Sequence, residues 1–376
     1  MHQRQPAAAI LEKKVTRRSL LLGAGALGVT VSATGCGILS NPARATTQTA
    51  YSDSELMLVS VIQTSTNDYM QDWAFGSRVY ADHVGLPLRV INSNLDSYQE
   101  YSQIQSVAAT GKKVIVNLTP INSADVPGIA KSVARAGGYL VSTWDKPDGI
   151  TPQDVGNSWV SHMGYDGIQM GQYIAEKLFE SIDGKGGVIA LKGPLGSKTS
   201  NERYYGLQQA LKKFPDIELL GWEAANWDRQ TAYDKTRSLL SRFPGKVKGI
   251  WTGGDAMALG AVAAAENAGV KVRAVGADGL QEALQNIKSG GPIVATWYTD
   301  GAYSGMIGLA IGHAAARGDL DVSSLSSIHR NGTYRQVGVD ASNVDEYLTP
   351  PTPRSLIAAL DKGLYDRLIG EPITGF

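Results

Sequence analysis

The chain has 376 residues, and its 35 basic and 35 acidic side chains give a formal net charge of zero. Because no basic excess is available to neutralise phosphates, nothing in the composition favours a nucleic-acid partner. One cysteine excludes disulfides within the chain, so the fold must rely on burial of its hydrophobic residues, which make up 43% of the sequence.

Residues 1–36 have the pattern of an export signal. Arg17 and Arg18 precede an apolar stretch, residues 20–33, and small residues follow it up to Cys36. A charged region, an apolar region and small residues at a cleavage site are the parts of a leader. The arginine pair resembles the twin-arginine signal. The apolar stretch is shorter than the about 20 residues that a membrane span needs, so we predict export.

Cys36 is the predicted lipidation site. Small residues before a cysteine resemble the lipobox of bacterial lipoproteins, although Ala33 stands where that pattern prefers leucine. The alternatives are a transmembrane helix and a buried lone cysteine. Residues 37–53, rich in Ser, Thr, Ala and Pro, predict a flexible linker. We therefore expect a protein anchored by lipid to the outer face of the cytoplasmic membrane, or one free in the periplasm.

From Leu56 onward, short β-branched runs alternate with amphipathic helical patterns. The first series predicts strands at 56–62, 86–91, 113–116 and 139–142, with helices near 69–84, 97–110 and 123–136. The second predicts strands at 188–191, 219–222, 249–251, 273–275 and 293–296, with helices near 166–181, 199–213, 229–242, 255–268, 280–288 and 300–317. Runs that are apolar throughout suit parallel sheets covered on both faces. The pattern predicts an α/β fold with two doubly wound parallel-sheet lobes, a division that about 340 residues after the leader also favour.

Polar and aromatic residues collect directly after the predicted strands, where open sheets bind ligands. The clusters lie at residues 63–69, 143–146, 226–229, 252–255 and 276–279. Their carboxylates, amides and cations can pair with hydroxyl groups in fixed directions, and their rings can pack on C–H faces. The clusters predict a site for a polyhydroxyl ligand.

The sequence has no convincing motif for catalysis or for cofactor binding. Gly23, Gly25 and Gly28 fit the dinucleotide fingerprint, but they lie inside the leader with no preceding strand. The five histidines have no metal-ligand spacing, and neither a nucleophile elbow nor an assignable carboxylate pair is present. We expect no cofactor, no metal and no catalytic residue.

In the polar and aromatic clusters that follow its predicted strands, the chain resembles the ribose/galactose type of periplasmic binding protein, which serves ABC sugar importers. The resemblance covers about residues 55–340, and its most specific segments are 143–146, 202–210, 254–261 and 276–279. It implies two lobes joined by a hinge of three crossings near 165–166, 299–300 and 334–340. We expect the first lobe to hold residues 54–164 and 300–334 and the second to hold 165–299 and 335–376, while the role of residues 341–376, to brace the lobes or to contact the permease, stays open.

The resemblance also implies a ligand site that both lobes share. The implied ligand residues are Asn67, Tyr69, Trp144, Asp145, Lys146, Arg203, Trp227, Asp278 and Thr299. Gly254 and Thr299 depart from the family pattern, which often has asparagine and glutamine there. Ordinary structural roles are the alternatives for Asp278, Arg203 and Trp144, and also for Asp255, Trp73 and Trp297, which are outside this set. These roles are helix capping for Asp278 and Asp255, a solvated charge for Arg203, and core packing for Trp144, Trp73 and Trp297.

The main hypothesis is a monomeric, lipid-tethered binding protein that captures a small sugar or polyol and delivers it to an ABC permease. A sensor that docks on a membrane kinase would have the same lobes and cleft, so the sequence barely separates the two. A secreted carbohydrate-active enzyme is a third possibility, which would need a carboxylate pair in the cleft. A cytoplasmic repressor is disfavoured because an export leader occupies the N-terminus.

Overall fold

Two six-stranded sheets organise the computed structural model, which describes residues 50–369. The strands are β1 Leu56–Ile62, β2 Leu88–Asn92, β3 Lys113–Leu118, β4 Tyr139–Thr143, β5 Trp159–Gly164, β6 Gly186–Lys192, β7 Ile217–Ala224, β8 Val247–Thr252, β9 Arg273–Val275, β10 Ile293–Tyr298, β11 Asn331–Thr333 and β12 Val337–Asp340. The predicted export signal, the lipidation site Cys36 and the linker as far as residue 49 lie outside the described residues.

Twelve α-helices of the described residues accompany these strands. They are α1 Asp68–Val84, α2 Ser97–Ala108, α3 Val126–Arg135, α4 Pro152–Val155, α5 Gly167–Glu180, α6 Lys198–Leu211, α7 Arg229–Arg242, α8 Asp255–Asn267, α9 Gln281–Lys288, α10 Gly301–Arg317, α11 Ser327–Arg330 and α12 Pro353–Leu360. Within residues 50–369 no helix is both long and apolar enough to cross a membrane.

The two sheets confirm the predicted α/β fold of two doubly wound lobes. The first has the strand order β11-β5-β4-β3-β1-β2 and the second has the order β12-β10-β9-β8-β6-β7. All pairs are parallel except β10 with β12. In both sheets the strand order reverses beside the first strand, so the carboxyl ends of the strands border a crevice.

The chain passes between the sheets where the resemblance implied. It leaves the first sheet after β5 at residues 165–166, returns after β10 at 299–300, and crosses again between β11 and β12 at 334–336. The backbone N–H of Tyr334 donates to the carbonyl of Gly164 at 3.0 Å, which ties the third crossing to the first.

The C-terminal segment departs from the expectation, because it returns to the first lobe in a fourth crossing near residues 348–352. Leu356, Leu364 and Leu368 are buried in the same hydrophobic cluster as Leu56 and Leu58 of β1. The expectation that residues 335–376 belong to the second lobe is therefore wrong for α12 and for the residues described after it, up to 369. Their apolar side chains need a partner, and the first lobe supplies it.

Two smaller differences concern the ends of predicted segments. Tyr51, predicted as linker, donates its backbone N–H to the carbonyl of Ala316 at 2.9 Å and packs on the first-lobe core. The linker therefore ends before Tyr51. Strand β5 was not predicted, because Ser161 and His162 interrupt its apolar run. Both are buried, and burial lowers the pKa of His162 to about 3, so this ring is neutral.

Candidate functional site

A cleft between the lobes lies at the carboxyl ends of both sheets. Its empty volume is about 460 Å³. It is lined by Gln63, Thr64, Asn67, Tyr69, Met70, Trp144, Asp145, Ser197, Thr199, Arg203, Trp227 and Asp278. The first seven belong to the first lobe and the last five to the second, so a molecule bound here would touch both.

Most of the predicted ligand residues line this cleft, but two do not. Lys146 borders a neighbouring groove together with Asp148 and Lys198. Thr299 lies beneath the cleft, where its backbone N–H donates to the carbonyl of Asp278 at 3.1 Å. Thr299 therefore supports the loop that carries Asp278, and Lys146 lies outside the cavity.

Five lining residues were not among the predicted ligand residues. They are Gln63, Thr64, Met70, Ser197 and Thr199. Gln63 and Thr64 directly follow β1, and Ser197 caps the N-terminus of α6, the helix after β6. A position directly after a strand is the signal that could have found Gln63 and Thr64, and a position at the start of a helix is the signal that could have found Ser197 and Thr199. Met70, inside α1, carries no such signal.

The site is built on unusual backbone conformations. Trp144, Asn226, Trp227 and Asp278 have positive φ values of 73°, 54°, 60° and 118° although none is a glycine. Such conformations are costly and collect at functional sites when the surrounding structure enforces them. Of the seven such residues described, Trp144, Trp227 and Asp278 line the cleft, which agrees with the cleft as the site.

Arg203 lies at the centre of the second-lobe wall. Its side chain is 3% exposed, it donates to the carbonyl of Gly253, and it lies 3.6 Å from a carboxylate oxygen of Asp278. The guanidinium carbon is 4.8 Å from the ring centroid of Trp144 and 5.2 Å from that of Trp227. Within residues 50–369 its Nε has no hydrogen-bond partner. Burial rules out the alternative of a solvated charge.

Asp278 is held in the cleft by its loop. Burial raises the pKa of this carboxyl to about 7, against the opposing effect of Arg203. Asp278 does not cap the following helix, because α9 begins at Gln281 after Leu280 and has no side-chain cap. The capping alternative therefore does not apply.

Asp255 holds the Asp278 loop from below and does not line the cleft. Its carboxylate accepts hydrogen bonds from the backbone N–H groups of Gly279 at 2.8 Å and Leu280 at 2.9 Å, and from the hydroxyl of Thr296 at 2.9 Å. Asp255 is the first residue of α8, and Gly254 is its N-cap. Its role is structural, although it caps no helix.

Asp145 joins the two lobes. Its carboxylate accepts hydrogen bonds from the Ser197 hydroxyl at 2.7 Å, and from the backbone N–H and the hydroxyl of Thr199 at 2.7 Å and 2.6 Å. Burial raises the pKa of Asp145, and these hydrogen bonds oppose that shift. With three donors in place, a carboxylate still has one acceptor position for a ligand hydroxyl.

Two further hydrogen bonds join the lobes, in addition to those that Asp145 accepts. The side-chain amide of Asn67 donates to the carbonyl of Trp227 at 2.8 Å, while its oxygen caps α1. The hydroxyl of Thr66 donates to Asp228 at 3.1 Å. Because Asp228 caps α7, first-lobe side chains meet helix N-termini of the second lobe here.

Trp144 lines the cleft, whereas Trp73 and Trp297 do not. Trp144 stacks on Tyr165 with ring centroids 4.0 Å apart, and its indole N–H donates to the Tyr69 hydroxyl at 3.1 Å. Trp73 is fully buried and donates to Ser60. Trp297 donates to Gln336 at the third crossing. Of the alternatives left open by the sequence, Trp73 and Trp297 therefore have structural roles.

Comparison with known proteins assigns the family. The periplasmic binding protein domain matches residues 58–320, so this chain belongs to the periplasmic binding protein family, and the predicted resemblance is confirmed. No group of three or more His, Cys, Asp or Glu side chains that could hold a metal ion is found in the described part of the chain.

Individual relatives agree with this assignment. The xylitol-binding protein of Mycolicibacterium smegmatis is 28% identical over 86% of this chain and 86% of its own length. The ribose import binding protein RbsB of Haemophilus influenzae is 30% identical over 61% of this chain and 75% of its own. The crystal structure of a twin-arginine translocation pathway signal protein from Burkholderia phytofirmans is 32% identical with a TM-score of 0.78. It covers 85% of this chain and 99% of its own.

Proposed function

We propose that this chain is the substrate-binding protein of an ABC importer, and that it captures a small sugar or polyol in the interlobe cleft. The observation that carries the proposal is the composition of the cleft. Asn67 and Asp145 from one lobe face Arg203 and Asp278 from the other around one cavity. These groups donate or accept hydrogen bonds in fixed directions, as recognition of hydroxyl groups requires.

Delivery would follow from closure of the lobes on the ligand. A ligand that touches both lobes stabilises the closed form only through its higher affinity for that form. The crossings at 165–166, 299–300 and 334–336 would act as the hinge. The permease would then recognise the closed surface. The cleft residues act by binding, so we propose no catalytic step.

The N-terminal segment completes the proposal. Export through the twin-arginine signal and lipidation of Cys36 would keep a monomeric receptor beside its permease, where tethering raises its effective concentration. Mass spectrometry of the mature N-terminus tests this step, with a diacylglyceryl mass on Cys36 as the expected result. A mature chain that begins elsewhere and carries no lipid would remove the anchor from the proposal.

A thermal-shift screen against pentoses, hexoses and polyols tests the binding function. A ligand at 100 times its Kd stabilises the folded state by about 2.7 kcal/mol, which raises the Tm by several degrees. The xylitol-binding relative places pentitols among the first compounds to test. Calorimetry of each hit confirms a one-to-one complex. A screen in which no neutral polyhydroxyl compound shifts the Tm would overturn the proposal.

A further inference from the structure

We propose that Trp144 and Trp227 hold Arg203, and not the ligand, between their rings, and that the cleft consequently prefers an acyclic polyol to a pyranose ring. The inference rests on the proposed function. In sugar sites, aromatic faces usually pack on the C–H faces of the ring. In this cleft other groups occupy those faces.

The first observation is the position of the guanidinium. Its carbon lies over both indole rings, 4.8 Å from Trp144 and 5.2 Å from Trp227. A cation within about 6 Å of a ring centroid is attracted by the ring, and more strongly where water is excluded. Arg203 is buried. The two rings therefore fix the cation where a sugar ring would otherwise lie.

Trp144 has no free face left for a ligand. One side meets Arg203, and the other stacks on Tyr165 with a centroid distance of 4.0 Å and an interplanar angle of 23°. The hydrogen bond from its indole N–H to Tyr69 fixes the orientation of the ring. Trp144 is therefore a positioning residue for Arg203.

Trp227 lies against three glycines that leave room for its ring. A Cβ atom at Gly193 would overlap the six-membered ring, one at Gly253 would lie 3.0 Å from Cζ3, and one at Gly254 would lie 3.5 Å from Cε3. The overlap at Gly193 requires the absence of a side chain and the contact at Gly253 is tight, whereas the distance at Gly254 is an ordinary van der Waals contact. At Gly254, which departs from the family pattern, a Cβ would lie 3.1 Å from a carboxylate oxygen of Asp278, so a side chain there would crowd Asp278 before the ring.

The groups that remain available to a ligand form hydrogen bonds. Arg203 lines the cavity with its Nε unpartnered among the described residues, and Asp278, Gln63 and Thr64 line it as well. An acyclic polyol offers a hydroxyl on every carbon and has no ring face to cover. A site built on hydrogen bonds discriminates strongly by which of its buried groups find partners.

Matched ligands test this preference directly. Xylitol and D-xylose have five carbons each, and sorbitol and D-glucose have six, but the aldoses are mostly pyranose rings in water. In whichever pair binds, calorimetry of the wild-type protein should give a Kd for the polyol that is at least tenfold lower than the Kd for its aldose. Equal or tighter binding of the aldose would overturn this inference and leave the proposed function intact. If none of the four compounds nor any other sugar or polyol binds, both fail.

A double-mutant cycle tests whether Trp227 acts through Arg203. The variants Trp227→Leu and Arg203→Lys and their combination are titrated with the better polyol. If the ring positions the guanidinium, each single change weakens binding and the double change costs less than the sum of the two. Additive losses would mean that Trp227 contacts the ligand independently, and would overturn the positioning role.

The glycine contact supplies a second, independent variant. Gly193→Ala should displace the ring from its contact with Arg203 and weaken polyol binding about tenfold, an effect of the size of one buried cation–π contact. Trp227→Phe in the same chain should restore part of the loss, because the phenyl ring is smaller. Gly196→Ala is the matched control, since no atom lies within 4 Å of a Cβ there. An unchanged Kd in folded Gly193→Ala would contradict the claim that the packing of Trp227 against Gly193 positions Arg203 for the ligand.

Discussion

The carboxylate of Asp145 accepts a 2.7 Å hydrogen bond from the backbone N–H of Thr199, which lies on the opposite lobe. Thr199 belongs to the first turn of α6, where backbone N–H groups have no partner inside the helix. A negative charge is also favoured there by the helix dipole. Asp145 of the first lobe therefore acts as a cap for a helix of the second, and it connects the lobes directly.

Replacement of Asp145 by alanine should open the unliganded protein and weaken ligand binding. The change removes three hydrogen bonds to a charged group, each worth about 1.5–3 kcal/mol when well formed. We expect a larger radius of gyration by small-angle X-ray scattering and at least tenfold weaker binding by calorimetry. Asp148→Ala is the control, because this neighbour pairs with Lys198 while its side chain is 88% exposed. An equal radius of gyration for Asp145→Ala and the wild type would contradict the claim that Asp145 holds the two lobes together.

Replacement of Asp278 by alanine should weaken ligand binding by about tenfold to a hundredfold and leave the fold intact. Asp278 is the acceptor that Arg203 faces in the cleft wall, and loss of a hydrogen bond to a charged group costs about 1.5–3 kcal/mol. Calorimetry measures the Kd, and circular dichroism checks the fold. Asp255→Asn is a useful contrast: it should lower the Tm because Asp255 holds the loop. An unchanged Kd in Asp278→Ala would remove Asp278 from the site.

The strands that the sequence predicted differ in their polar content from β5, one of three strands that it missed together with β11 and β12. The run Val114, Ile115 and Val116 predicted β3 correctly because a strand covered on both faces is apolar throughout. β5 contains Ser161 and His162, which are buried because they find polar partners. Ser161 bonds to the Tyr365 hydroxyl, 204 residues away along the chain. No local pattern contains that information.

The same limit applies to the site. The position of Trp144 and Asp145 after β4 was enough to predict that they reach the cleft. Their partners were not predictable, because Asp145 meets Ser197 and Thr199 across more than 50 residues of sequence. The destination of the C-terminal segment was missed for the same reason, since its apolar face fits either lobe until the packing is known.

Glu100 should make the stability of the protein depend on pH. Its side chain is buried on α2, one oxygen accepts from the backbone N–H of Ile121 at 3.4 Å, and the other has no partner within residues 50–369. Burial raises the pKa of Glu100 to about 8 from an ordinary value of 4.5. The folded state therefore keeps a proton that the unfolded state has lost. Its contribution to stability is complete below about pH 4.5 and is lost as the pH rises to about 8.

Replacement of Glu100 by glutamine should remove this dependence. Urea unfolding at several pH values should show the wild type losing stability relative to Glu100→Gln between about pH 4.5 and pH 8, by up to about 1.4 kcal/mol per pH unit. Glu266→Gln, at an exposed glutamate on α8, should follow the wild type. A constant difference between Glu100→Gln and wild type across this range would show that Glu100 is ionised in the folded protein.

Arg367 connects the C-terminal segment to two of the crossings between the lobes. Its guanidinium lies 2.8 Å from Asp300 at the second crossing and 3.7 Å from the ring centroid of Tyr303. Its carbonyl accepts from the backbone N–H of Arg335 at the third crossing, at 2.8 Å. Asp300 is 10% exposed, so loss of its partner leaves a poorly solvated charge.

Arg367→Ala should therefore lower the free energy of unfolding by about 1–2 kcal/mol. That range lies above the value of an exposed ion pair and below that of a fully buried one, because the arginine itself is 36% exposed. Urea unfolding measures it. Arg335→Ala is the comparison variant: this side chain is 61% exposed, lies 3.9 Å from the Asp366 carboxylate and donates to the Asp366 carbonyl, and its loss should cost less, about 0.5 kcal/mol. Equal losses in the two variants would mean that the ion pair with Asp300 adds nothing to the attachment of the C-terminal segment. That segment would then be held by its apolar contacts with the first-lobe core and by hydrogen bonds such as that of Ser161 with Tyr365.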